Sequence, residues 1–243
     1  MALGKLGDDC RFYEGYANTK ALGGKAVSAG GIKTHTVTCR RCGSCCRSCP
    51  PALHGEDTAL YARSEVSRQH LVTFRRGERV YDNVQGCLLT LDREMVRIRS
   101  LPHSRACIFY HHPQRACRIY HRRPLECRVF ACWDPQDLLQ TYARDRVQRL
   151  DLVPPQSALG HIIAEHEKMC PWSLVMELLP RVQKAPSSVP APELAQILEA
   201  DHSMRRELQE RAGATHAEMD FILGRSIRAV LPGLGVNVRR TEG

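Results

Sequence analysis

Apolar residues are arranged in two ways along this chain. Beyond about residue 134 they recur every three to four positions, the spacing of helices that bury one face. Asp134-Pro135 supplies an N-cap and a first-turn proline, which predicts a helix to about Leu150 with Leu138, Leu139, Tyr142, Val147 and Leu150 near one face. Pro154-Pro155 ends it. Ser157 to Met169 and Trp172 to Lys184 read as two more helices, separated by Cys170-Pro171, with Pro180 kinking or shortening the second. Ala185 to Pro192 reads as a linker. Glu193 to Ala212 reads as a helix ending at Gly213, and Thr215-x-x-Glu218 is a capping-box signature for a last helix to about Leu231.

Ahead of residue 134 the apolar runs are short and punctuated by glycine, proline and cysteine. Residues 1–35 are Gly-rich and basic without a period, and the pairs Gly23-Gly24 and Gly30-Gly31 predict a flexible leader in which Cys10 stands alone. Glu56 to Ser64 reads as a short helix, and Ser67 caps a second through Val72. Val80-Tyr81 and Met95 to Arg99 read as strands that pair across the loop holding Cys87. Ile119-Tyr120 suits another short strand, and Arg123-Pro124 a turn into one helical turn carrying Cys127. The predicted fold is α+β and α-rich: a small irregular cysteine-rich core with short strands, then a helical C-terminal half. The expected divisions are a leader at 1–35, a cysteine-bearing domain at 36–135, helices packing on it at 136–184, a linker at 185–192 and a helical extension at 193–243.

Cysteine changes that picture most. Five of the 12 cysteines fall between Cys39 and Cys49, a density no packing argument needs. Thiols at three-residue spacing converge on one point, as a soft metal ion or an iron–sulfur cluster requires. Gly43 inside the run predicts a positive φ where the backbone turns tightly. Cys39, Cys42 and Cys45 form a three-point grip on a cubane; a fourth thiolate would come from Cys107, Cys117, Cys127 or Cys132. A four-thiolate zinc site drawn from both groups fits the spacing equally. The adjacent pair Cys45-Cys46 does not easily aim both sulfurs at one ion. Cys87 reads as structural. His166 and Cys170, spaced for one helix face, read either as a late ligand pair or as a packed helix end.

The net charge of +9 comes from 35 basic and 26 acidic residues, and many arginines crowd the cysteines. Guanidinium groups beside thiolates lower thiol pKa values and offset site charge, which explains the excess better than a nucleic-acid surface does. Arg123 is a candidate hydrogen-bond donor to a thiolate or cluster sulfide. The absence of a long apolar run and of a secretory-type N-terminus predicts no membrane span and a cytoplasmic setting, where thiols stay reduced.

Cys39-x2-Cys42-Gly43-x-Cys45-Cys46, followed by Cys107-x-Phe109-Tyr110 and Cys117-x-Ile119-Tyr120-x2-Arg123-Pro124-x2-Cys127-Arg128-x-Phe130, resembles the YkgJ-type cysteine-cluster family, CxxCxxCC, described as zinc- or iron-chelating. The resemblance covers about residues 39–135; Pro51 to Asp57 and Cys132-Trp133-Asp134 look like one bacterial branch of it. It implies a bacterial cytoplasmic metalloprotein with Cys39, Cys42, Cys45, Cys46, Cys107, Cys117 and Cys127 as the chelating set. The flagellin lysine methylases carry a related arrangement with an iron–sulfur cluster. That adds a cluster-dependent protein methyltransferase, with a protein substrate, beside a cluster-holding protein of unassigned activity and a structural or storage zinc module. Cys49-Pro50 departs from the family pattern by completing a bacterial ferredoxin spacing, and is taken as coincidental or auxiliary.

Overall fold

The computed structural model describes residues 39, 41–82, 84–184 and 192–236. The expected leader with Cys10, and most of the expected linker, lie outside the described residues. About 50% of the model is helix and 14% strand, with the strands in the first half and the long helices in the second, so the fold is α-rich α+β.

Six short strands form three antiparallel pairs among the described residues. β1 (Leu71–Phe74) pairs with β4 (Met95–Ile98), β2 (Arg79–Asp82) with β3 (Cys87–Thr90), and β5 (Tyr110–His111) with β6 (Ala116–Cys117). The expected pairing of Val80-Tyr81 with Met95 to Arg99 is corrected: Val80 and Tyr81 pair with Leu89 and Leu88. β4 is committed on both edges. Its far edge takes the segment after the first cysteine run, with Leu53 N–H donating to Val96 O at 2.9 Å and Ile98 N–H to Pro51 O at 3.0 Å. The predicted helix from Ser67 to Val72 is a single 3-10 turn, Arg68–His70, that runs into β1. Ser67 does cap that turn, its N–H donating to His70 Nδ1 at 3.1 Å, but Leu71, Thr73 and Phe74 are all buried, and packing on both faces favours a strand over continuing the helix.

The short helices are α1 (Ser44–Ser48), α2 (Thr58–Ala62), α3 (Leu125–Val129), α4 (Gln136–Thr141) and α5 (Arg149–Leu152). The helix expected from Asp134 to Leu150 is thus two pieces. Val147 is extended between them because its N–H donates to Leu53 O and its carbonyl accepts from Val96 N–H, bonds a continuous helix would forfeit. Ile119-Tyr120 is likewise no strand; Tyr120–Arg122 is a 3-10 turn.

The longer helices follow the expected limits closely: α6 (Ala158–Met169), α7 (Trp172–Lys184) and α8 (Pro192–Ala212). Ser157 caps α6 by accepting from Gly160 N–H at 3.1 Å, and Pro180 lies inside α7 without ending it. The last predicted helix is interrupted, giving α9 (His216–Ile222) and α10 (Ile227–Val230). Gly224 breaks it at φ 74°, where a Cβ would stand 2.7 Å from Arg75 Cδ. No helix of the described residues is long and apolar enough to cross a membrane.

Two main apolar clusters result. The first joins Leu53, Leu60, Val66, Leu71, Val96 and Ile98 to Phe109 and Tyr110, and is closed by Phe221, Ile222 and Leu223 from the end of α9. The second packs Trp172, Val175, Leu178, Leu194, Ile197 and Leu198 around Cys170. Each fully buried side chain of this size contributes roughly 1.5–3 kcal/mol. Buried ions stitch the clusters together. Arg149, 1% exposed, meets Glu94, Glu167 and the carbonyl of Ile222, while Arg75 meets Glu167 through two bonds of 2.6 and 2.8 Å and the carbonyl of Cys170.

Candidate metal centre

The first cysteine run enters α1 through Gly43, which has φ 75° and lies at the helix N-cap. A Cβ there would stand 2.6 Å from Tyr110 Cε2, so glycine is required both by the left-handed backbone and by the approach of a ring from the second cysteine group. α1 carries Cys45 and Cys46. Cys46 is half-buried against the first core, and Cys45 is exposed.

The second group returns to the first along the backbone. Ser100 bridges Cys107 just past β4, Ile108 N–H donates to Arg99 O at 3.0 Å, and Cys107 N–H donates to Cys46 O at 2.7 Å. From there the β5–β6 pair sets Tyr110 opposite Cys117, and Arg118 N–H donates to Phe109 O at 2.8 Å.

Cys127 rides on α3, which is docked by buried polar groups from residues 52–57. Asp57 Oδ1 accepts from Leu125 N–H at 2.9 Å and Oδ2 from His54 N–H at 3.0 Å. Glu126 Oε2 accepts from Ala52 N–H at 2.9 Å, and Oε1 meets His54 Nε2 at 3.2 Å; His54 Nδ1 lies 2.6 Å from Arg144 O. Burial alone would lower the His54 pKa, but Glu126 and the Arg144 carbonyl raise it on balance. Sequence reasoning assigned no role to His54, Asp57 or Glu126. Their signal was three polar residues next to Pro51 and Cys127 in a stretch with no helical period.

Cys39, Cys42, Cys45, Cys46, Cys107, Cys117, Cys127 and Cys132 all line one cavity of about 610 Å3, together with Cys49 and Arg123. Within it, six thiols act on one another. Cys46 is within hydrogen-bonding reach of Cys45 and Cys117. Those bonds bring Cys45 down to about 6 and Cys117 to about 7, and hold the proton on Cys46. Burial pushes Cys107 up to about 12 and Cys127 well above its ordinary value; each of these two also feels the charges of Cys45 and Cys117. Cys42, at the exposed side, is lowered by hydrogen bonds from Ser44. Cys39, Cys42 and Cys132 are exposed members of the wall.

Arg123 stacks 3.8 Å over the Tyr120 ring, with Arg41 3.9 Å from the same ring. Its charge lowers both Cys45 and Cys117, and its Nε is a buried donor without a partner among the described residues. Arg97 donates to Cys49 Sγ at 2.8 Å and lowers Cys107. The crowd of arginines is therefore only partly devoted to the thiols: Arg122 pairs with Glu65 and Arg128 with Glu56.

Other candidates lie elsewhere. His166 Nε2 meets Asp201 Oδ1 at 2.9 Å, and Cys170 is buried in the second cluster with its sulfur 3.6 Å from Ile197 O, so this pair is a packed helix end. Cys87 is exposed on β3 rather than packed. Cys49 is not among the free thiols.

Among the described residues, no three His, Cys, Asp or Glu side chains are already arranged to hold a metal. The donor chemistry of the wall nonetheless fits one: thiols from both groups, no imidazole among the described lining residues, and an orphaned Arg123 Nε–H beside the two most acidic thiols. Residues 38–151 match the family model CxxCxxCC, whose description is "Putative zinc- or iron-chelating domain". No curated protein and no solved structure matches the chain.

Proposed function

We propose, on the match of residues 38–151 to the CxxCxxCC model, that the bound species is an iron–sulfur cluster held by thiolates from both cysteine groups. One observation carries the reading: eight free cysteines separated by up to 93 positions, from Cys39 to Cys132, line a single cavity. That is twice the number a four-coordinate zinc site uses. The donors are drawn from Cys39, Cys42, Cys45, Cys46, Cys107, Cys117, Cys127 and Cys132, with Cys45 and Cys117 poised to ionise first. Arg123 Nε–H would donate to a thiolate or sulfide, the kind of bond that tunes cluster potential. A cluster supplies one-electron or structural chemistry, and the reading assigns no substrate. It places the chain in a reducing compartment such as the cytoplasm, where thiolates remain available.

The test is the visible spectrum, iron, sulfide and zinc content of the full chain purified without oxygen. Brown protein with stoichiometric iron and sulfide is expected. Colourless protein with stoichiometric zinc overturns the cluster and leaves a zinc module. Cys42→Ser and Cys117→Ser should each lose most of the metal, whereas Cys170→Ala should not. Full loading in both serine variants refutes the ligand set.

A further inference from the structure

The cavity is larger than its cysteines need. Its 610 Å3 lies within the range of small-molecule sites, about 300–1,000 Å3. A metal at about 2.3 Å from each thiolate fills only part of that volume. The remainder of the wall comes from other elements: Val80 and Leu89 of the β2–β3 hairpin, Met95, Leu138 and Tyr142, with Trp133 45% exposed. These are apolar and aromatic side chains with no role in placing the thiols.

One charged group among them is available to a ligand. Arg146 Nε donates to Tyr142 O at 2.6 Å, and its guanidinium lies 5.4 Å from the centre of the Tyr142 ring, so the side chain is fixed. Its two terminal nitrogens have no hydrogen-bond or ion-pair partner among the described residues. The acids on the same wall are already engaged. Asp82 Oδ1 accepts from Val84 and Gln85 N–H at 2.8 and 2.9 Å, and Glu126 is held by His54 and Ala52. A half-buried arginine in an apolar pocket, with its fork unspent, matches a carboxylate or sulfonate.

We propose that the cavity is a composite site, whose apolar end binds an organic anion with an aromatic or branched aliphatic body and whose charge Arg146 meets. The inference rests on the metal reading only in assigning the cysteine end to the metal.

The probe is 8-anilinonaphthalene-1-sulfonate, titrated into metal-loaded full-length protein, with the metal content of every sample measured alongside. One saturable site per chain is expected, with energy transfer on tryptophan excitation. Trp133 lines the cavity while Trp172 is buried beside Gly77, so both contribute and Trp133→Phe should reduce that transfer without removing it. Arg146→Gln should weaken the dye about tenfold or more, as the loss of a charge-assisted bond does. Arg146→Lys should recover part of it, and the uncharged N-phenyl-1-naphthylamine should not distinguish wild type from Arg146→Gln. Val80→Arg should block the site. The proposal is overturned if loaded protein shows no saturable binding, if Arg146→Gln binds as wild type does, or if Trp133→Phe leaves the transfer undiminished. Normal metal content without dye binding sinks this proposal alone; dye binding with the expected variant pattern in protein that takes no metal sinks the metal reading alone.

Discussion

The N–H of Cys107 donates to the carbonyl of Cys46 at 2.7 Å, although 61 positions separate them. That bond lies between the two cysteine groups, and it is made by backbone. The approach is therefore set before any thiol ionises. β4 supplies the leverage, because Pro51 to Leu53 lies along one edge and the chain to Cys107 folds back from its end.

Gly43→Ala should disturb this junction. The new methyl meets Tyr110 at 2.6 Å, on a backbone with φ 75°. A cost of about 1–3 kcal/mol is expected from the backbone conformation, with further loss from the clash. Urea unfolding of Gly43→Ala and of Gly43→Ala/Tyr110→Leu separates the two, since the second change relieves only the clash. Wild-type stability in the single variant counts against the packing described here.

His54→Ala should cost about 1–3 kcal/mol, the penalty for leaving a buried partner unsatisfied. It should also lower metal content, because His54 helps hold Glu126 and hence the helix that carries Cys127. Unfolding curves and metal analysis on one preparation check both. Reduced stability with full metal would confine His54 to folding.

Acid should destabilise the protein through Asp201 and His166. Burial raises the Asp201 pKa, but His166 and Arg205 outweigh it and hold the group at about 2, against an ordinary 3.8. A depressed carboxyl contributes stability that is present above 3.8 and lost as pH falls towards 2, here about 2 kcal/mol. Burial lowers the His166 pKa below its ordinary 6.5, so its share is present above 6.5 and is lost as pH falls through its folded value. Unfolding free energy measured downward from pH 7 should therefore decline below 6.5, and Asp201→Asn should flatten the portion below 3.8. A wild-type profile in Asp201→Asn would rule the carboxylate out.

Arg123→Met should keep the fold, since stacking on Tyr120 is replaced by an apolar contact. It should lower metal affinity about 10- to 100-fold, the usual effect of losing a group that supports the ligands. Competition with a coloured chelator reads the change. Unchanged affinity would reduce Arg123 to a packing role.

The helices with intact caps and long periods were legible in the chain, and α6 and α8 lie almost where Ser157 and Gly213 put their limits. The α-rich α+β class followed from them. β1 was not legible, because Leu71, Thr73 and Phe74 are all buried and a two-sided strand has no alternation to read. Nor was the break before Val147, which depends on Leu53 and Val96, residues far away in the chain. The cysteines announced themselves by density, and all eight named positions reach one cavity. The polar supports did not, since His54 and Glu126 find their partners across 72 positions and at Arg144 and Ala52. The apolar end of the cavity was invisible for the same reason: Val80, Met95 and Tyr142 come from separate segments.

The closing of the first core by Phe221, Ile222 and Leu223 also has a consequence for biosynthesis. Thr73 Oγ donates to Phe221 O at 2.7 Å, and Arg149 reaches Ile222 O at 2.6 Å, so these late residues complete bonds begun by early ones. On a ribosome adding about 5–20 residues per second, Leu223 follows Leu152 by on the order of ten seconds. For that interval the cysteine-bearing segment is outside the tunnel with its hydrophobic core still open, and its thiols are exposed to oxidants and to any metal in the cell. Selection of the correct metal thus belongs to the nascent chain's surroundings as much as to the finished fold.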